Sequence, residues 1–492
     1  MFAAAELGHR VSDAAYRRAE PELRAQLLQA QYQLLEQARF PVYILINGVD
    51  GAGKGETVHV LNEWMDPRHI HTHAFGAMNS EERQHPAMWR FWRTLPPKGK
   101  IGIYFGSWYT DPISQRVHRR AGRAQFERSI ASIVRFEHML DDEGVLLLKF
   151  WFHLSRKAQA KRFRTLEKDP LTRWRVTRED WKNHRHYERF RQVSEQVLRT
   201  TSSGFAPWYV VEGVDANYRN LTVGRGLLAA LRERLDARAP KPALAEAPPL
   251  LAPADGLRLL DALDLEQGLS RKKYERQLLR VQGRLNELSR HKRFRDHGVV
   301  AVFEGLDAAG KGGATRRVTA ALDARFYQVV PVAAPTEEEK AQPYLWRFWR
   351  RIPRRGRFTL FDRSWYGRVL VERVEGYCSE PDWMRAFNEI NDFERQLSES
   401  GLIVVKFWLA ISKEEQLARF RARRDTVYKR YKITPEDWRN YKKWDAYQIA
   451  AADMIERTST SVAPWALIEA NDKHFARIKV LKVLCERIEQ SL

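Results

Sequence analysis

The seven residues Gly305-Leu306-Asp307-Ala308-Ala309-Gly310-Lys311 have the G-x-x-x-x-G-K spacing of a loop that wraps phosphate. Gly305 and Gly310 let successive backbone N–H groups curl around phosphate oxygens, and a following helix would add its positive N-terminal end. Lys311 supplies a point charge for a transferred phosphoryl group, and Ala309, Gly312 and Gly313 complete the candidate phosphate-binding set. The Ser or Thr that usually follows the lysine is replaced by Gly312, so a common magnesium ligand is missing and another oxygen must hold the metal. Asp307 and Asp362 are the candidates. Downstream, Phe361-Asp362-Arg363-Ser364-Trp365-Tyr366-Gly367-Arg368 places a carboxylate beside two arginines. Asp362 could anchor magnesium while Arg363 and Arg368 neutralise charge on phosphate oxygens, or the group could be an Asp–Arg pair that caps a strand.

Between Leu417 and Lys443 stand ten basic residues, Arg419, Arg421, Arg423, Arg424, Lys429, Arg430, Lys432, Arg439, Lys442 and Lys443, against three acidic ones. That density reads as a mobile lid closing on polyphosphorylated ligands, with a solvated basic face as the alternative. In Trp346-Arg347-Phe348-Trp349-Arg350 the tryptophans have helical spacing and fit core packing better than base stacking, leaving Arg347 and Arg350 to face substrate.

These groups need a scaffold. Val299 to Phe303 is a short apolar, β-branched run ending at the glycine-rich turn, as expected of a buried parallel strand feeding a helix. Phe358 to Phe361, Leu402 to Leu409 and Trp465 to Ile468 read as further strands, so Asp362 falls at a strand's C-terminal end, where open α/β sheets bind ligands. Thr434-Pro435-Glu436-Asp437 combines a capping Thr, Pro at the first helical position and first-turn acids, and starts a helix. Strands alternating with helices give an α/β domain with a parallel sheet.

The chain contains this pattern twice. GVDGAGKGE from Gly48 returns as GLDAAGKGG from Gly305, and WRFWR, SWY, KFW and APW all recur at the same displacement of 257. Residues 239–256 are rich in Pro and Ala and read as a stiff linker. The expected organisation is an N-terminal domain over 1–238, the linker, and a C-terminal domain over 257–492.

Lys plus Arg number 84 and Asp plus Glu 62, a net charge of +22 in 492 residues, so the surface should attract polyanions. Only Cys378 and Cys485 are present, which leaves no disulfide framework or thiolate zinc cluster and favours a reducing compartment, with both cysteines read as core residues. No apolar run approaches a membrane span and the N-terminus lacks a secretory pattern; the expected location is the cytoplasm.

The loop G-x-D-x-x-G-K-G, the segment FDRSWYGR and the basic stretch closing in Thr434 to Trp438 resemble the type 2 polyphosphate kinase family over almost the whole chain, twice. The resemblance implies two tandem thymidylate-kinase-like P-loop domains, each a parallel sheet flanked by helices with a helical basic lid. It further implies magnesium-dependent transfer from inorganic polyphosphate to AMP, the reaction of the family's two-domain class. Asp307, Lys311, Asp362, Arg363 and Arg368 would be its catalytic set, and Arg421, Arg424, Lys429, Arg430 and Lys432 its lid. Asp307 could bind metal or orient the acceptor. Kinase activity on nucleoside diphosphates and non-enzymatic binding of polyanions or nucleic acid are the alternatives. Membrane association and a specific nucleic-acid partner are not expected, and Asn471 and Asp472 could contact a base or cap a loop.

The first half departs from the pattern. It keeps Asp50 and Lys54, but Asp362 corresponds to Phe105, Arg363 to Gly106 and Arg368 to Asp111. A ring cannot bind magnesium and Asp111 would repel phosphate. The N-terminal domain is therefore expected to be catalytically inert, pairing with the second half or retaining polyanion affinity.

Overall fold

A computed structural model describes residues 1–237 and 259–492, apart from the side chains of 428, 429 and 432. The expected linker at 239–256 thus lies outside the described residues, as do the side chains of Lys429 and Lys432. The described residues group into two compact units, the first containing Met1–Met78 and the second Arg347–Leu492, each with its own sheet.

In the first unit β1 (Val42–Gly48), β2 (Ile70–Ala74), β3 (Ile101–Phe105), β4 (Leu146–His153) and β5 (Trp208–Glu212) form a parallel sheet in the order β2-β3-β1-β4-β5. In the second, β6 (Gly298–Gly305), β7 (Tyr327–Pro331), β8 (Phe358–Asp362), β9 (Leu402–Ala410) and β10 (Trp465–Glu469) repeat that arrangement as β7-β8-β6-β9-β10. The order follows from composition. The central strands GVVAVFEG and LIVVKFWLA are buried nearly throughout, as helices on both faces of a parallel sheet require, and their β-branched and aromatic side chains fill the core.

Because the chain leaves β6 and must turn to either side of it, the C-terminal ends of β6, β8 and β9 border a crevice at the point where strand order reverses. Gly305 closes β6 at φ +142°, and a Cβ there would lie 2.5 Å from the Leu409 carbonyl oxygen, so only glycine fits. Gly310, at φ +113°, caps the helix Lys311–Thr319. Thr434 does cap the helix Pro435–Lys442, in a capping box with Asp437. Trp346 and Trp349 are buried, as core packing predicted. Cys485 is in the core, whereas Cys378 is only half-buried, on the turn before the helix Glu380–Glu399. No helix among the described residues is long and apolar enough to cross a membrane.

Candidate active site

The signature Ser-Trp-Tyr, read from sequence alongside the charged residues, serves the scaffold. Tyr366 and Trp365 donate to Glu394 Oε1 at 2.6 and 3.0 Å, Lys406 Nζ donates to Glu394 Oε2 and the Thr458 carbonyl at 2.7 Å each, and all of these side chains are buried. The first unit repeats the network with Tyr109, Trp108, Glu137, Lys149 and Thr201. A fully partnered buried ion pair fixes where the end of β8 turns, and so where Asp362 and Arg363 stand.

Around the loop the structure brings together Asp307, Lys311, Asp362 and Arg363. Arg363 Nη2 donates to Asp307 Oδ1 at 2.7 Å, and Asn440, on the helix Pro435–Lys442 within the basic stretch, donates to Oδ2 at 2.8 Å. Burial works against the charge on Asp307, but Lys311 and Arg363 outweigh it and hold the carboxyl below its ordinary range. Burial and the Arg363 guanidinium push Lys311 down, against the pull of Asp307, Asp362 and Glu304. Lys311 Nζ donates to the Gly305 and Leu306 carbonyls, at 2.6 and 3.2 Å. Arg363 and Ala308 both have φ of 63°, a left-handed conformation that L side chains rarely adopt. The copy places Gly106 and Gly51 at these positions, both at positive φ. The C-terminal site thus keeps side chains where the backbone favours glycine, a pattern that concentrates at functional sites.

The carboxylate of Asp362 accepts no hydrogen bond among the described residues, and a Cβ on Gly312 would stand 3.7 Å from its Oδ2. The absent side chain therefore leaves room between the helix start and this carboxylate. No cluster of three or more metal-ligating side chains exists among the described residues. With both Asp307 oxygens engaged by Arg363 and Asn440, it is the open Asp362 carboxylate that suits a small divalent ion, which would take its other ligands from phosphate and water. Ala309 and Gly313 donate their amides to the Leu306 and Gly310 carbonyls within the turn.

Arg368 stands apart, in an ion pair with Glu372 at 3.1 Å, and does not line the cavity bounded by Asp307, Arg363, Asn440, Trp444 and Tyr447. Arg421, Arg424 and Arg430 are exposed on the basic segment, with Arg430 Nε on the Arg424 carbonyl. Arg419 is no lid residue: it is buried and donates to the carbonyls of Ala308, Ala309, Ala470 and Asn471, bracing the loop. Arg439 and Lys443 are tethered to Glu375 at 3.1 and 3.0 Å. Asn471 and Asp472 act as caps, accepting from the Ser412 and Phe475 amides. Arg347 donates to the Ala333 carbonyl.

Sequence reasoning missed three features. Glu304, buried at the end of β6, accepts from Ser364 at 2.8 Å, and burial raises its carboxyl above the ordinary range despite Lys311 and Ser364. Asn440 and Gln416 hold Asp307 from outside the named motifs; both recur in the copy as Asn183 and Gln159, a signal the fixed displacement carried. On the loop's other flank a cavity of about 240 Å³ is lined by Arg316, Arg419, Arg423, Lys473 and Arg477 beside Gly310 and Gly313. In the first unit Glu56 replaces Gly313, and its carboxylate takes Arg162, Arg219 and Arg175 at 2.8, 2.9 and 3.3 Å.

A P-loop at a strand-order reversal, with lysine, carboxylates and arginine converging on it, defines a phosphotransferase of the α/β class. The polyphosphate kinase 2 (PPK2) family matches residues 10–239 and 268–492, and the chain belongs to that family. It is 58% identical over 489 residues to a polyphosphate:AMP phosphotransferase of Pseudomonas aeruginosa, covering 99% of each chain. It is 55% identical over 491 residues to a protein of the same name from Pseudomonas syringae pv. tomato, covering 100% of this chain and 99% of that one. A crystal structure assigned to polyphosphate kinase 2 of Pseudomonas aeruginosa PA01 superposes with a TM-score of 0.89 at 55% identity, covering 100% of this chain and 99% of that one.

Proposed function

We propose that this chain transfers the terminal phosphoryl group of inorganic polyphosphate to AMP, giving ADP and a polymer shortened by one unit, and that the C-terminal copy alone does so. An oxygen of the AMP phosphate attacks the terminal phosphorus as the bond to the bridging oxygen breaks. A phosphate monoester with second pKa near 6 is mostly dianionic at neutral pH, so no strong base is needed. Repulsion is the obstacle: each unit pair of charges at 4 Å costs about 4 kcal/mol at an effective dielectric of 20. The observation that carries the reading is the convergence of Lys311, Arg363 and the Asp362 carboxylate, which accepts no hydrogen bond among the described residues, between a basic cradle and a smaller cavity.

In this reading the polymer lies along Arg316, Arg423, Lys473 and Arg477, and AMP occupies the cavity beside Asp307 and Tyr447. Lys311 and Arg363 hold the transferred phosphoryl group and acceptor in line. Asp362 holds magnesium, which when bound screens charge between the reactants. Asp307 is engaged by Arg363 and Asn440 and so orients the acceptor side. Arg421, Arg424, Lys429, Arg430 and Lys432 close over the polymer, while Arg368 positions the turn through Glu372.

The first copy is inert in this reading. It lacks the metal carboxylate and the arginine, and Glu56 already fills its phosphate cradle. The test is ADP formation from polyphosphate by the full-length chain, with AMP, ADP and GDP as rival acceptors. Preference for a diphosphate acceptor would replace the AMP assignment with the diphosphate-kinase alternative.

A further inference from the structure

In the first unit a cavity of about 460 Å³ opens at the degenerate loop. Each residue lining the C-terminal cavity of about 60 Å³ has its counterpart, 257 positions earlier, in these walls. Asn47, Asp50, Gln159 and Asn183 stand for Glu304, Asp307, Gln416 and Asn440, so the pocket persists with altered chemistry. Gly106 stands in place of Arg363, which lines the C-terminal cavity and donates to Asp307 there. Phe105 replaces Asp362, and the Glu375–Lys443 ion pair becomes His118 and His186, with rings 5.3 Å apart.

We propose that this cavity binds an uncharged planar heterocycle carrying hydroxyl groups, of the nucleoside class, without phosphoryl transfer. The inference rests on the reading of the C-terminal cavity as the acceptor pocket. Phe75, Phe105, Trp151 and Phe190 supply apolar walls, Trp151 and Phe190 nearly parallel at 5.8 Å, which suit a flat ring. Trp151 is 2% exposed, so its ring is held in place by packing as a wall of the cavity. Asp50 accepts from Asn183 at 3.3 Å and is paired with Lys54 at 3.6 Å, and its carboxylate keeps capacity to accept from ligand hydroxyls. Charge argues against a phosphate. The one permanent cation among the described lining residues is Lys54, which lies 3.6 Å from Asp50 and donates to the Gly48 carbonyl. Burial and the nearby His186 keep His118 towards neutrality. The volume falls in the range of about 300–1,000 Å³ typical of small-molecule sites.

The test is equilibrium dialysis of the full-length protein with radiolabelled adenosine. Val371→Trp fills the C-terminal cavity, and Ser114→Trp, at the matching position, fills this one. Val371→Trp should still bind one adenosine per chain, and more tightly than AMP. Adding Ser114→Trp should weaken that binding at least ten-fold with a thermal midpoint close to that of Val371→Trp. Should Ser114→Trp melt early, Phe190→Ala in the Val371→Trp background, which widens the pocket, carries the test through a loss of about ten-fold. Absent binding in Val371→Trp, undiminished binding after both pocket changes, or a ten-fold preference for AMP overturns the proposal. Failure of the wild-type chain to phosphorylate AMP would instead sink the proposed function and leave the dialysis result standing.

Discussion

Lys54 Nζ lies 5.9 Å from the centre of the Phe105 ring, whereas its counterpart Lys311 has the charged carboxylate of Asp362 for a neighbour. A ring face can attract an ammonium group but offers a divalent ion no oxygen. Phe105 in place of Asp362 thus keeps the lysine in place and, in the proposed reading, removes the carboxylate that would hold the metal between two polyanions. The duplicated chain contains its own control experiment.

Lys311→Ala and Asp362→Asn should each lower ADP formation by at least 100-fold, the scale expected when a group stabilising transition-state charge is removed. Lys54→Ala should leave it within about two-fold of wild type. The check is the initial rate with polyphosphate and AMP, and a comparable loss in Lys54→Ala would return catalysis to the first copy.

Arg363 donates to Asp307 while holding φ at 63°, and Gly106 occupies the same place at φ 77°. Relief of a left-handed non-glycine residue is worth roughly 1–2 kcal/mol. The Arg363 side chain is 42% exposed, so its ion pair is screened and contributes about 0–1 kcal/mol. Arg363→Gly should therefore cost at least 100-fold in rate while urea unfolding shows no loss of stability and a gain of at most about 2 kcal/mol. A large loss of stability would make Arg363 a scaffold residue.

Much of this was legible in the sequence, for a physical reason. A parallel sheet buries whole strands, so GVVAVFEG and LIVVKFWLA announce themselves as apolar runs, and the loop glycines are dictated by backbone approach. The fixed displacement of 257 located the two copies and the residues that differ between them. What was not legible depended on direction. Arg419 looks like any basic residue of its segment, yet it points inward at four carbonyls. Glu304 sits within an apolar run and declares itself only when Ser364 and Lys311 are seen around it. Asn440 reaches Asp307 across 133 residues, a contact that no local pattern encodes.

Glu394 and Lys406 are buried together: Tyr366 bonds to both, Trp365 donates to Glu394, and the Thr458 carbonyl accepts from Lys406. Removing one member leaves an uncompensated buried charge, which typically costs about 3–5 kcal/mol. Lys406→Met should destabilise the protein by that amount in urea unfolding, whereas the double change Lys406→Met/Glu394→Gln should recover part of it. Equal destabilisation by single and double variants would show that packing, not the orphaned charge, sets the cost.

Glu304 links stability to activity. Its carboxyl is raised by burial above the ordinary 4.5, so between that value and the raised one the folded state binds more protons than the unfolded chain. Stability therefore falls as pH climbs through this window and is level above it. Glu304→Gln keeps an acceptor for the Ser364 hydroxyl, as Asn47 accepts from Ser107 in the other copy. The variant should gain on wild type as pH rises from about 4.5, and the gain should stop growing once Glu304 would be ionised. The same change removes one of the anions that hold the Lys311 proton. Lys311 should then lose its charge at lower pH, shifting the alkaline limb of the kcat/KM profile downward. A stability gain without movement of that limb would place Glu304 outside the electrostatics of the loop lysine.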